Sequence, residues 1–376
     1  MTMLNSPEFH LAAASGLEAA APRVPGLSAF VGLDGFVDEI LHVVDKRHDA
    51  DRFDRVPTIA AYAQRLMAAA GRSTNVELVR AMTKLGGNGP IMANALASFG
   101  LRVSYLGALG FPSLHNVFDE FSRRAEVASV CDPGLTDALE FEDGKILVGK
   151  HYTLKEVNWA NICARYGKDR FALKFASADL VGFVNWTMLP FMSEIWASIQ
   201  SELLPGLLGE RRRLFVDLAD PEKRLPSDIE RALDLLARFQ SRFDVILGLN
   251  EKESYEIARV LGLDASPRDP EGLAALALEI HARVPVATLV VHPVAYALAS
   301  DGQSVDVVEG PVCKKPRITT GAGDHFNSGF CLGKLLGLSN AESVLCGVST
   351  SGHYVRTAKS PSVPDLVHFL RHWPAQ

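Results

Sequence analysis

Apolar residues fall in short runs along most of this chain, and longer stretches with helical spacing lie between them. Ser28 to Gly32 (SAFVG) has the composition of a buried strand ending on a glycine turn. Met92 to Phe99 has helical spacing and opens after the turn-like Gly86-Gly87-Asn88-Gly89-Pro90. Gly100 caps that helix, and Arg102 to Leu106 forms the next strand. Further strands are predicted at Leu180 to Val184, Leu214 to Leu218, Val245 to Leu247 and Ala287 to Val291. The helices between them are Met192 to Leu204, Ser227 to Phe239, Glu251 to Leu261 and Pro270 to Ala282. Strands alternating with helices of this length build βαβ units, hence an α/β fold with a mostly parallel central sheet and helices on both faces.

Two stretches break the rhythm. Ile40 to Val44 and Val76 to Met82 are extended, alternating pieces around a helix, and Ala138 to His151 has the pattern of a hairpin turning at Asp143-Gly144. These segments, around 37–85 and 136–152, read either as a small β-rich lid standing off the main sheet or as its edge strands. Residues 1 to 22 read as a flexible tail or a short surface helix, leaving 23–376 as one large domain. The Ala-rich run from Leu11 to Ala21 has no basic leader and is flanked by Glu8 and Glu18, so it does not read as a signal peptide.

Composition narrows the function classes. The 376 residues are 48% hydrophobic with a formal charge of -6, enough apolar material for a large core and no basic footprint for nucleic acid. No apolar run is long enough to span a bilayer, so a membrane partner is not expected. The five cysteines are scattered and never spaced as CxxC, which speaks against a disulfide framework or a structural zinc site and for a reducing cytoplasm. The run Gly107-Ala108-Leu109-Gly110 lacks dinucleotide-fingerprint spacing, and no G-x-x-x-x-G-K-[ST] occurs.

The chemistry concentrates in Thr319-Thr320-Gly321-Ala322-Gly323-Asp324, followed by His325 and an apolar helical pattern through Leu336. Asp324 therefore stands in the first turn of a helix. Unpaired N–H groups and the positive end of the dipole make such a terminus an anion site. An aspartate there also serves as a plain cap, but a cap does not call for glycine on both sides of an alanine before it.

This run resembles the second signature of the ribokinase-like (PfkB) carbohydrate kinases. The resemblance implies Asp324 as general base, with Gly321, Ala322 and Gly323 forming an anion hole for the transferring phosphoryl group. Gly86, Gly87 and Asn88 resemble the family's first, sugar-binding signature. Asn250 and Glu253 in LNEKE match its Asn-x-x-Glu, which organises Mg2+ and ATP phosphate through water. Gly32 to Asp38 (GLDGFVD) lies where the family keeps a substrate-binding aspartate, a role open to either Asp34 or Asp38.

The resemblance further implies a ribokinase-like three-layer α/β/α fold and phosphorylation of a sugar or similar polyhydroxylated substrate. Relatives often form a homodimer through the lid. Three departures stand out. Ile318 occupies the place of an acidic residue that in many relatives helps hold a monovalent cation. Pro90-Ile91 follows the Gly-Gly loop where an asparagine is usual. Val290-Val291-His292-Pro293 replaces a Thr-x-Gly, which puts His292, with Thr320, among the expected nucleotide contacts. A nucleoside kinase and a catalytically silent sugar or nucleotide sensor are the alternatives within this fold.

Overall fold

The computed structural model describes residues 3–266 and 268–374. Numbered along the chain, its strands are β1 (Ser28–Leu33), β2 (Phe36–Arg47), β3 (Phe53–Arg55), β4 (Leu78–Gly86), β5 (Arg102–Gly107), β6 (Glu126–Ser129), β7 (Gly134–Phe141), β8 (Gly144–Lys150), β9 (Leu180–Val184), β10 (Arg212–Asp217), β11 (Phe243–Asn250), β12 (Thr288–His292), β13 (Tyr296–Ser300) and β14 (Val305–Glu309). Nine of these make one sheet in the order β14-β13-β12-β11-β10-β9-β1-β5-β6. Every neighbouring pair from β12 to β6 is parallel; β13 alone is reversed, antiparallel to both β12 and β14.

Side-chain alternation explains why this sheet is buried on both faces. Along β1, Phe30 packs into one apolar cluster while Ala29 and Val31 pack into the other. The first cluster joins the sheet to the helices Met192–Glu202, Pro226–Phe239 and Pro270–Arg283. The second joins it to Asn88–Phe99, Ala322–Leu335, Asn340–Thr357 and Val363–Arg371. Three layers result.

The stretches that broke the rhythm form a second, smaller sheet. In it β2 pairs with β3, β4 and β7, and β7 pairs with β8. Its own small cluster comprises Leu41, Val43, Val56, Leu139 and Phe141. The hairpin turns one residue earlier than expected, at Glu142-Asp143, because Phe141 pairs with Gly144.

The flexible-tail expectation is corrected. Pro7–Ala20 is a helix, started by the Ser6 hydroxyl, which accepts from the Phe9 N–H. Ala13, Ala14 and Leu17 are buried against the helix Val363–Arg371, and the His10 ring stacks on Trp373 at 4.1 Å. Small alanines let the two helices approach closely, so an Ala-rich stretch that reads as featureless is in fact a packing face. Met1 and Thr2 lie outside the described residues.

Candidate active site

The helix Ala322–Leu335 opens on a tight turn. Gly321 sits at φ 88°, ψ 5°, a conformation that favours glycine, and the Ala322 N–H donates to the Thr319 carbonyl at 3.1 Å. Thr320 keeps negative φ, so the turn is type II. Gly321, Gly323, Thr320 and Asp324 line a single large cavity. Ala322 does not line it and its N–H is taken up within the turn, which corrects its candidacy and leaves Gly321 and Gly323 as the two of the three expected residues that face the cavity.

Asp324 is 6% exposed and accepts a hydrogen bond from Asn88 Nδ2 at 3.0 Å. Burial pushes its carboxyl up to about 8, the Asn88 bond opposing and the charge of Asp34 adding to the shift.

Asn88 reaches Asp324 because the first glycine-rich segment is already helix. Asn88–Phe99 begins at Asn88 itself, with Gly87 ahead of it at φ 100°. The cap is Asp34, more than fifty positions away in sequence. Its carboxylate accepts from the Asn88 N–H at 3.0 Å, the Gly89 N–H at 2.9 Å, Asn185 Nδ2 at 2.8 Å and the Tyr105 hydroxyl at 3.2 Å. Asp34 is fully buried and does not line the cavity, which corrects its candidacy as a sugar ligand. Burial raises its carboxyl to about 6 against those hydrogen bonds. Gly86 likewise lies off the cavity wall, closed in by the Asp38 carboxylate, whereas Gly87 lines it.

Asp38 is the aspartate that faces the cavity. It lies on β2 directly opposite Lys84 of β4. Burial raises its carboxyl, while the charge of Lys84 and a hydrogen bond from Thr136 pull it back. The small sheet thus forms one wall of a cavity of about 480 Å³, through Phe36, Asp38, Lys84, Thr136 and Lys145. The opposite wall is the carboxyl edge of the large sheet, where open α/β sheets hold ligands.

On the far side of Asp324 lie Asn250 and Glu253. They form a reciprocal capping box: Asn250 Oδ1 accepts from the Glu253 N–H at 2.9 Å, and Glu253 accepts from the Asn250 N–H at 2.8 Å. Glu253 also accepts from the Asp220 N–H at 2.9 Å, and both box residues line the cavity. Capping and cavity lining therefore coexist in one pair. Burial raises the Glu253 carboxyl, and nearby Asp217 raises it further.

Asp217 ends β10 and accepts from Asn327 Nδ2 at 2.8 Å, its carboxyl raised by burial and by Asp324. Among the described residues no group of three or more metal-ligating side chains stands close enough to chelate an ion directly. His292 ends β12 and lines the cavity with its Nε2 buried and unpartnered; burial lowers its pKa to about 4.

Sequence reading missed Asp217, Asn185, Lys84, Lys145, Lys223 and His151, all on the cavity wall. Asp217 alone carried a usable signal, as a polar residue at the carboxyl end of a predicted parallel strand.

The layered sheet, the smaller sheet across its carboxyl edge and the glycine-rich helix start define a ribokinase-like carbohydrate kinase. Phosphofructokinase-2 from Escherichia coli, in complex with substrates and products, matches with a TM-score of 0.62 at 15% identity, covering 92% of this chain and 98% of its own. Ribokinase from Thermotoga maritima matches at 0.59 and 14%, covering 92% and 99%. The model of the prokaryotic ketohexokinase family matches residues 9–373, and the chain belongs to that family. It is 31% identical over 360 residues to a ketohexokinase of Haloferax volcanii, covering 95% of this chain and 94% of that one.

Proposed function

We propose that this carbohydrate kinase transfers the γ-phosphoryl group of ATP to a hydroxyl of a ketohexose, with Asp324 as general base. The ketohexose is inferred from the Haloferax relative's name. One juxtaposition carries the mechanism. Asp324, Gly321 and Gly323, and the hydroxyl-binding candidate Asp38 line one cavity.

Asp38 accepts hydrogen bonds from sugar hydroxyls, and Lys84 fixes its carboxylate. Asn88 orients the Asp324 carboxylate toward the attacking hydroxyl, whose proton Asp324 receives. Gly321 and Gly323 donate to the phosphoryl oxygens as charge develops on them. Buried carboxylates without a cation among them, Asp217, Glu253 and Asp324, fit a site that receives Mg2+ with the ATP phosphates. Glu253 and Asn250 would hold the ion through its waters, where it would neutralise phosphate charge. His292 and Thr320 contact the nucleotide.

The small sheet acts as a lid that excludes water from the γ-phosphate. Leu78, Met82 and Val148 leave apolar surface exposed on it, and a homodimer through the lids would cover that surface.

A coupled ADP-release screen over ketohexoses, aldoses, sugar phosphates and nucleosides tests the assignment. Turnover should be highest with a ketohexose. Turnover confined to nucleosides, or none with any acceptor, would overturn it.

A further inference from the structure

His325 follows the candidate base directly, yet it points away from the cavity. Its imidazole is 2% exposed and sits behind the turn, between the helices Ala322–Leu335 and Asn340–Thr357. Three contacts hold it. Nδ1 lies 2.7 Å from the Gly321 carbonyl, Nε2 lies 2.9 Å from the Ser360 hydroxyl, and the ring stacks on Tyr354 with centroids 3.6 Å apart.

The tautomer follows from the partners. A carbonyl oxygen only accepts, so Nδ1 carries the proton and donates to Gly321. Nε2 is then the acceptor and takes its hydrogen from Ser360. Burial lowers the imidazole to about 4, so the ring is neutral at physiological pH.

Tyr354 completes the arrangement by donating its hydroxyl to the Thr320 carbonyl at 3.0 Å. The carbonyls of Thr320 and Gly321, the two residues on either side of the turn's central peptide, are therefore both gripped from behind. In a type II turn the central peptide is the one free to flip. With the Thr320 carbonyl fixed on Tyr354, the Gly321 N–H of the same peptide faces the other way.

We infer that His325 and Tyr354 are positioning residues, a clamp that sets the Thr320–Gly321 peptide so that the Gly321 N–H meets the transferring phosphoryl group. Neither residue lines the cavity, so neither touches substrate. The inference rests on the phosphoryl-transfer reading of this turn. The sequence pattern offers no hint of it, because His325 reads as one more helix residue and Tyr354 is nearly thirty positions downstream.

The clamp predicts a loss in kcat without a matching loss in sugar KM. Tyr354→Phe keeps the ring stack and removes one neutral hydrogen bond, so kcat should fall about 5-fold, the size of such a bond. His325→Leu keeps bulk and removes both polar contacts, and kcat should fall roughly 10- to 100-fold. His325→Asn can still donate to the carbonyl four residues back and should recover most of that loss. Sugar KM should stay within about 2-fold throughout, since no sugar contact changes.

An unchanged kcat in folded Tyr354→Phe overturns the clamp, and that variant decides the question if His325→Leu does not fold. Equal losses in His325→Leu and His325→Asn overturn it as well, because a purely structural role gains nothing from the donor. Asp324→Asn separates the two readings. Near-normal turnover there sinks the reading of the turn itself, whereas a dead Asp324→Asn beside normal clamp variants sinks the clamp alone.

Discussion

Asp34 and Asp38 are four positions apart and carry the same functional group, but their surroundings give them opposite roles. Asp34 is consumed by four donors and caps the helix that presents Asn88. Asp34→Ala should therefore cost at least ~3 kcal/mol of stability, because buried donors lose their acceptor, and a denaturant melt reads it. Asp38→Asn should leave that melt nearly unchanged and raise sugar KM roughly 10- to 100-fold, the worth of hydrogen bonds to a charged acceptor. A normal KM in Asp38→Asn would remove Asp38 from the sugar site. Asp324→Asn should retain the fold and cut kcat ~10²- to 10⁴-fold, the usual range for general-base catalysis. In the wild type, kcat/KM should rise with pH along an acidic limb set well above an ordinary aspartate, since burial holds the Asp324 carboxyl near 8 in the free enzyme. A limb at the usual carboxylate value would show that another group is the base.

The loop entering the Asp324 helix sets a prediction at the scale of elements. Ile318 is half-buried just ahead of the turn and offers no oxygen to a cation. Potassium should stimulate turnover weakly or not at all over sodium in an ionic-strength-matched assay; strong saturable activation would contradict this. How far the elements were legible depended on where their stabilising partners lie. Leu180–Val184 was read to the residue because its apolar run is buried on both faces and bounded by polar residues. β6 and β14 went unread, since they are the partly exposed edge strands of the large sheet, where burial writes a weaker pattern, and β13, although buried throughout, has an alanine-containing run (YALAS) with little strand propensity. The helix at Asn88 looked like a turn because Gly-Gly-Asn-Gly-Pro has poor helix propensity, and the carboxylate that stabilises its start belongs to Asp34 on a distant segment. The same limit hid most of the site. Glycine-rich signatures are local and show in sequence, whereas Lys84, Lys145 and His151 reach the cavity only through pairing in the small sheet.

Across the whole molecule, the carboxyl edge of the sheet gathers Asp34, Asp217, Glu253 and Asp324 in its interior, and burial raises all four. Fold stability should therefore depend on pH in an unusual direction. Each group is protonated in the folded protein at pH values where it is already ionised in the unfolded chain, so the folded state binds more protons across that window. The contribution is fully present below the unfolded values near 4 and is lost as pH rises through the folded values, about 6 for Asp34 and about 8 for Asp324. The melting temperature of the substrate-free enzyme should thus fall between roughly pH 5 and 8.5. Each group contributes ~1.4 kcal/mol to that fall for every tenfold difference in proton affinity between its folded and unfolded states. Asp324→Asn replaces a carboxyl that must ionise with a neutral isostere, so its profile should be flatter and its melting temperature at about pH 8 higher than the wild type's. Such a variant gives up turnover and gains stability, as expected where a site holds like charges together for catalysis. Thermal melts of both proteins across that range provide the check. A wild-type profile that is flat or rising, or an Asp324→Asn variant no more stable at the alkaline end, would mean that these carboxylates are already compensated in the free enzyme.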